Sequence, residues 1–299
     1  MADDLTYLVT GASGHLGRSV LEHLLEAGTR RIVATTRRPE TLADFARRGV
    51  TVRKADFDDA DALRGAFDGA QRMLLISTDV ADGTERRAVQ HDNAVLAALA
   101  VGIEHIVYTS ISAAETSLLP LATDHKLTER LLASSKARGL KGHTILRNNF
   151  YADLLLMLLP GAIATGKLVG LPADRGAAYI SREDCARAAS TALLSGEGTR
   201  ILELSGPEVV NKATLARIAS EITGREIRHV PLPAAALSKH FEEQRLAPAQ
   251  VGFLLLFEQA TGEGELALVT NDFEVLTRRP PTAVRDFLVA HRRELLRAA

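Results

Sequence analysis

The chain has 299 residues, 46% of them hydrophobic and 24% charged, with a formal net charge of −1. That length and apolar content exclude a disordered or collagen-like chain and allow one large domain or two smaller ones with substantial cores. The near-neutral balance lacks the basic excess by which proteins hold DNA, RNA or an anionic membrane, so neither nucleic acid nor membrane is an expected partner.

The pattern along the first half alternates short apolar runs with longer helical stretches, as βαβ units of a parallel sheet do. Strands are predicted at Leu5 to Thr10, Arg31 to Thr36, Val50 to Asp56, Arg72 to Thr78, His105 to Ile111 and His143 to Asn148. Runs such as MLLIS and HIVYTS are apolar almost throughout, which suits strands covered on both faces. Helices are predicted at His15 to Ala27, Thr41 to Arg48, Asp61 to Phe67, Glu85 to Ala100 and Thr123 to Lys136. After Asn149 the character changes. FYADLLLMLLPGAIATGKLVG reads as a short apolar helix broken by Pro160 and Gly161, followed by a loop. YISREDCARAASTALL and RILELSG read as a helix and strand returning to the main sheet, and from Pro207 onward a smaller, largely helical lobe with one strand-like segment (EIRHVPLP) follows. The expected architecture is a doubly wound parallel α/β sheet over residues 1–150, with 176–205 returning to it, and a smaller C-terminal α/β lobe from 151–175 and 206–299.

The single cysteine, Cys185, excludes an intrachain disulfide, implies a reducing compartment and reads as a small buried core residue. MADDLTYLVTGASG lacks the basic and apolar regions of a signal peptide, and the apolar run Leu154 to Leu159 is far short of a bilayer span, so the cytoplasm is the expected location.

TGASGHLG, residues 10 to 17, follows the first strand and opens the first helix, the setting a dinucleotide-binding fingerprint requires. Gly11 serves the tight turn, Gly14 the approach to a pyrophosphate and Gly17 the close helix packing, and Ser13, His15 and Leu16 complete the candidate phosphate contacts. After the second strand an NAD site ordinarily places an acid, whereas ATTRRPE offers Arg37 and Arg38 and no acid until Glu40. A guanidinium suits a 2′-phosphate, so NADP(H) is the expected cofactor. The alternative for Arg37 is mere cover of the sheet edge. Asp56 and Phe57 end the third strand on the adenine side, and Ser77 and Thr78 end the fourth on the ribose side.

TGASGHLG, TRRP, ADFDD, LLIST, QHDNAVLAALAVGIEHIVYTS, LRNNFY and YISREDCA, in that order, resemble the NmrA-like atypical short-chain dehydrogenases over almost the whole chain. Within that family the likeness is to the bacterial NADPH:quinone reductases and triphenylmethane dye reductases. The resemblance implies an extended Rossmann fold, NADP(H) held at the glycine loop and Arg37, and a nicotinamide near Asn148.

Ordinary short-chain dehydrogenases carry Tyr-x-x-x-Lys on the helix after the fifth strand, a phenol as general acid with a lysine beside it. Here those positions are Leu121 and His125, so that proton donor is missing. His125 is the candidate contact to the nicotinamide ribose or the substrate; a helix-packing histidine is the alternative, and a one-residue register difference would exchange it with Lys126. Ser110 is a candidate cofactor or substrate contact without a dyad partner, and Phe150 and Tyr151 are candidate walls of a flat acceptor pocket. The remaining histidines show no zinc-ligand spacing, and there is no Gly-x-Ser-x-Gly elbow. The expectation is an NADPH-dependent oxidoreductase, monomer or homodimer, that transfers a hydride to a conjugated small molecule such as a quinone. The alternative is a non-catalytic NADP(H)-sensing regulator.

Overall fold

The computed structural model describes residues 5–78, 86–117, 119–244 and 246–298. Nine strands form among them: β1 (Tyr7–Val9), β2 (Ile32–Thr36), β3 (Thr51–Lys54), β4 (Arg72–Leu75), β5 (His105–Ile111), β6 (Gly142–Asn148), β7 (Lys167–Gly170), β8 (Thr199–Leu204) and β9 (Arg228–Pro231). Seven make one sheet in the order β3-β2-β1-β4-β5-β6-β8, and β7 pairs with β9 separately. Every pairing between these strands is parallel. The strand order reverses at β1, which lies between β2 and β4, and a crevice opens there beyond the carboxyl ends of the strands.

Alternation along the strands feeds a first core on one face of the sheet and a counterpart layer on the other. Tyr7, Val9, Leu74, Val107 and Leu146 face the side covered by α1 (His15–Glu26) and α7 (Arg182–Ser195). Leu8, Met73, Leu75, Tyr108 and Ile145 face the side covered by α3 (Ala60–Phe67), α4 (Arg86–Ala100) and α5 (Pro120–Ser134). Burial on both faces is why these strands read as continuous apolar runs. Between β2 and β3 a 3₁₀ turn over Pro39–Leu42 leads into the short α2 (Ala43–Arg47), whose Phe45 is buried under α1. The helix expected from Glu85 is present from Arg86; Glu85 itself lies outside the described residues. Strand β4 stops at Leu75, short of the expected Thr78, because the next three amides bond to side chains rather than to a neighbouring strand.

The segment after Asn149 departs from expectation. Pro160 and Gly161 do not break the apolar helix: α6 runs unbroken over Leu155–Thr165 with Pro160 inside it, and the expected loop after it is strand β7. An interior proline costs about 3 kcal/mol. Here Leu155, Leu159 and Ile163 recur at helical spacing and are almost fully buried, and burying such side chains contributes about 1.5–3 kcal/mol each, which outweighs the lost hydrogen bond.

A further core gathers α6, β7, α8 (Lys212–Thr223), α10 (Pro248–Glu263), α12 (Val284–Ala290) and α13 (Arg292–Ala298) around Leu159, Tyr179, Ile218, Phe257 and Leu288. Helix α9 (Ala234–Glu243) adds Leu237 and Phe241 to a smaller cluster with Val251. Ala177 and Tyr179 belong to this second core, whereas Ile180 and Cys185 belong to the first. Phe273 of α11 (Asp272–Thr277) also returns to the first core, against α7 and β8. Among the described residues no helix is long and apolar enough to cross a membrane.

Helix α7 carries the first core's largest stripe of small residues and begins at Ser181, whose hydroxyl accepts the Asp184 amide at 3.0 Å and donates to the Asp184 carboxylate at 2.8 Å. Loss of such a cap costs about 0.5–2 kcal/mol. Ser181→Ala is therefore expected to lower unfolding stability by about 1 kcal/mol with little change in the slope of the urea transition.

Candidate active site

The loop after β1 is shaped by what cannot fit in it. Gly11 has φ +59°, in the left-handed region. A Cβ on Gly17 would lie 2.6 Å from both the Ala12 Cα and the Gly11 carbonyl oxygen, so α1 rests directly on the loop backbone. Gly14 precedes α1 without a side-chain cap, and no acid stands in the first turn. The first amide of α1 to bond backward is that of Arg18, to the Gly14 carbonyl at 2.9 Å, which leaves the amides of His15, Leu16 and Gly17 for a ligand. The side chain of Leu16 is buried in the core and that of His15 is exposed, so these two residues offer main chain rather than side chain. Ser13 ties the loop to the end of β2, its hydroxyl 2.8 Å from that of Thr36. An uncapped helix start with a glycine cradle suits a pyrophosphate by both amide direction and dipole.

Arg37 and Arg38 follow β2 and are exposed. Beside them the end of β3 forms a bonded turn: the Asp56 carboxylate accepts the Asp58 amide at 3.1 Å, and the Phe57 carbonyl accepts from Asn93 at 2.9 Å. Asp58 pairs with Arg86 and accepts from Gln90 at 3.0 Å. The Arg86 hydrogen bond, with a smaller contribution from the nearby Arg37 charge, holds the Asp58 carboxyl below the usual carboxylate range.

Beyond β4 the chain hangs on side chains. The Ile76 amide donates to Thr10 Oγ1 at 3.1 Å, that of Ser77 to Thr109 Oγ1 at 2.9 Å and that of Thr78 to His91 Nε2 at 3.1 Å. The Thr78 hydroxyl is buried with no partner, and so is Asn148 Oδ1 at the end of β6. Buried polar atoms are ordinarily bonded. Two orphaned oxygens at these strand ends, together with the cradle at Gly11 and Gly17, fit a dinucleotide lying across the switch point. Asn148 Nδ2 donates to the Tyr151 hydroxyl at 3.1 Å, and the Arg182 guanidinium lies 5.0 Å over the Tyr151 ring. Phe150 instead turns into the second core, stacked 3.8 Å from Phe257 and edge-on to Tyr179.

A family model described as NAD(P)H-binding matches residues 11–195. An NmrA-like family domain-containing oxidoreductase of Aspergillus flavus is 29% identical over 96% of both chains. The chain belongs to the NmrA-like family of NAD(P)H-binding oxidoreductases. It is also 32% identical to quinone oxidoreductase 2 of Escherichia coli over 283 residues, 93% of this chain and 96% of that protein. The solved structure of an NADPH-dependent quinone oxidoreductase of E. coli complexed with NADPH superposes with a TM-score of 0.89 at 31% identity, over 96% of this chain and 99% of that one.

In this family member two buried polar clusters stand behind the cleft, and sequence reading missed both as clusters. Arg147 of β6 donates to both carboxylate oxygens of Glu129, at 3.0 and 2.6 Å, and to Glu203 of β8 at 3.0 Å. Ser110 donates to Glu129 at 2.5 Å, and Ser112 to Glu203 at 3.0 Å. The Glu129 hydrogen bonds foremost raise the Arg147 pKa further, against the opposing effect of burial. The visible signal was a charge within an apolar stretch of each strand, Arg147 in TILRN and Glu203 in ILEL. The second cluster contains His125. Its Nε2 lies 3.0 Å from the Arg87 guanidinium and its Nδ1 2.8 Å from the Tyr108 hydroxyl, inside the packing of α4, α5 and β5. Lys126 turns instead to Glu115, at 2.9 Å.

Burial, assisted by the Arg87 charge, holds His125 well below the ordinary histidine range, lowers His91 to about 3, and burial foremost lowers His105 to about 4. These rings are neutral in the folded protein at pH 7 and take up protons near pH 6.5 once unfolded. The stability they contribute is complete above pH 6.5 and is lost as pH falls below it. His91 alone is expected to cost on the order of 1–2 kcal/mol by pH 5. Urea unfolding at pH 8, 6.5 and 5 checks this: a midpoint independent of pH over that interval contradicts the buried neutral state.

Proposed function

We propose that the protein uses NADPH to reduce a flat, conjugated small molecule, with quinones as the acceptor class. Bound NADPH supplies the hydride; the chain holds, orients and encloses. In this reading the α1 amides and the glycine cradle carry the pyrophosphate, and Arg37 meets the 2′-phosphate. Asp56 and Phe57 border the adenine, Ser77 and Thr78 the ribose, and Asn148 the nicotinamide. Ser110 acts through Glu129 by holding α5 to the sheet. Residues 1–150 and 176–205 form the cofactor unit, and 151–175 and 206–299 the lobe that holds the acceptor, with Tyr151 at the junction and Phe150 stiffening the lobe behind it. The catalytic contribution is proximity and orientation.

The observation that carries the choice of acceptor is the state of α5. Leu121 stands where a tyrosine acid would be, and both ring nitrogens of His125 are already engaged with Arg87 and Tyr108. Reducing a simple ketone produces an alkoxide that needs a positioned acid, and such acids contribute about 10²–10⁴-fold. Reducing a quinone produces a phenolate-like anion with a pKa of about 10, which water can protonate. The relationship to proteins named quinone oxidoreductase supports the same choice.

Two measurements test the reading. Charge-assisted hydrogen bonds contribute about 1.5–3 kcal/mol. Arg37→Ala is accordingly expected to weaken NADPH by roughly one to two decades and leave NADH nearly unchanged in calorimetric titration; equal losses for both dinucleotides would remove the 2′-phosphate role. In a steady-state panel, quinones are expected to drive NADPH oxidation at least about 10²-fold faster than unactivated ketones. Tight NADPH binding without oxidation by any acceptor of the panel would favour a sensing role instead.

A further inference from the structure

We propose that Arg87, acting through His125, Tyr108 and His91, is a positioning residue that fixes the Thr78 end of β4 against the bound dinucleotide. The proposal rests on the reading of the cleft given above.

Arg87 lies in the first turn of α4, only 7% exposed. Among the described residues it has no carboxylate partner; its guanidinium meets His125 Nε2 at 3.0 Å, and its Nε has no partner. Burying a guanidinium is costly unless it is hydrogen-bonded, so the partner it has among the described residues carries weight. A guanidinium carries donors alone, which settles the proton of the ring it meets. His125 Nε2 must accept, so the ring proton is on Nδ1 and donates to the Tyr108 oxygen at 2.8 Å. At the other end the Thr78 amide donates to His91 Nε2, so the His91 proton is also on Nδ1, which donates to Thr128 Oγ1 at 2.9 Å. The Thr128 hydroxyl donates onward to the Asp124 carbonyl at 3.0 Å. Tyr108 lies between the two rings, 2.8 Å from His125 and 3.4 Å from His91. Two donor lines, one from Arg87 through His125 to the Tyr108 oxygen and one from the Thr78 amide through His91 to Thr128, therefore meet where Tyr108, His91 and Thr128 pack together.

That amide has no strand to bond to, because β4 ends at Leu75. Ile76 and Ser77 are held by threonines of the neighbouring strand regions, and Thr78 alone is held through this chain of rings. The Thr78 hydroxyl, buried and unpartnered, is the group whose place depends on that amide. Because the two lines start from a guanidinium and a backbone N–H, both of which keep their protons, the arrangement positions and does not deliver protons.

The test uses the full-length protein with ¹⁵N-labelled histidine, together with titration of NADPH and of adenosine 2′,5′-bisphosphate, which fills the adenine half alone. In the native protein His125 and His91 are expected as neutral Nδ1–H tautomers. Arg87→Met is expected to release His125 into a mixture of tautomers, to raise the NADPH Kd about tenfold and to leave the bisphosphate Kd within about twofold, while Arg87→Lys restores tautomer and affinity to within about threefold. Tyr108→Phe, which removes one hydroxyl and keeps the ring, is expected to leave the His125 tautomer in place and still weaken NADPH about three- to tenfold. Unchanged NADPH affinity in both Arg87→Met and Tyr108→Phe overturns the proposal, and so does equal weakening of NADPH and the bisphosphate. If the native protein binds no NADPH, the reading of the cleft falls and this proposal with it; tautomer changes without affinity changes overturn this proposal alone.

Discussion

No methyl group fits between Gly17 and the turn that precedes it. A Cβ there would lie 2.6 Å from backbone atoms of Gly11 and Ala12, distances that side-chain relaxation cannot relieve. Because α1 can press onto the loop in this way, its uncapped start points into the gap where the strand order reverses. The positive end of the helix, the amides of its first turn and the ends of β1 and β4 then converge on one volume. A helix displaced by the width of a side chain would still cover the sheet with Val20, Leu21 and Leu24, but it would no longer aim at the crevice.

The opposite wall of that crevice is built differently. Where the sheet ends, backbone amides lose their ladder partners, and a buried amide must find another. Thr10, Thr109 and His91 supply them at the end of β4. At the edge of the sheet Glu203 does related work for the C-terminal half: it joins Arg147 and Ser112 through its carboxylate, while its amide donates to Asp272 at 2.8 Å and its carbonyl accepts from Thr270. One residue of β8 thus ties β5, β6 and the chain returning from α10. The polar groups at these strand ends are used to close the backbone, and the two left over, Thr78 Oγ1 and Asn148 Oδ1, stand out for that reason.

The parts legible in the sequence are those where local chemistry decides. The six strands, the returning helix and strand, and the glycine loop follow from apolar runs and from residues that only one backbone geometry accommodates. The cofactor class was legible in the acid missing after β2, a composition argument that needs no contacts. The polar clusters were not, because their members meet across long separations: Arg147 and Glu203 are 56 positions apart, and Arg87 and His125 38. His125 was singled out by its position on α5, but the partners that determine its protonation lie on α4 and β5. Phe150 carried no mark to show that it faces Phe257 rather than the cleft. Pro160 misled for the opposite reason, since a strong local rule gave way to the burial of Leu155, Leu159 and Ile163.

The return of Phe273 to the first core has a consequence for how this fold can be rearranged. The polypeptide crosses between the two cores several times: at Ile180 into the first, back to the second by Val210, into the first again at Phe273 and out once more at Val284. Any single cut between the sheet and the outer helices therefore divides the first core between the two pieces. A chimera that borrowed its outer lobe from a relative would have to exchange several discontinuous segments together and keep the Thr270–Asp272 connection to β8 as a fixed seam. Diversification of such a scaffold is easier by substitution within the lobe than by exchange of whole modules.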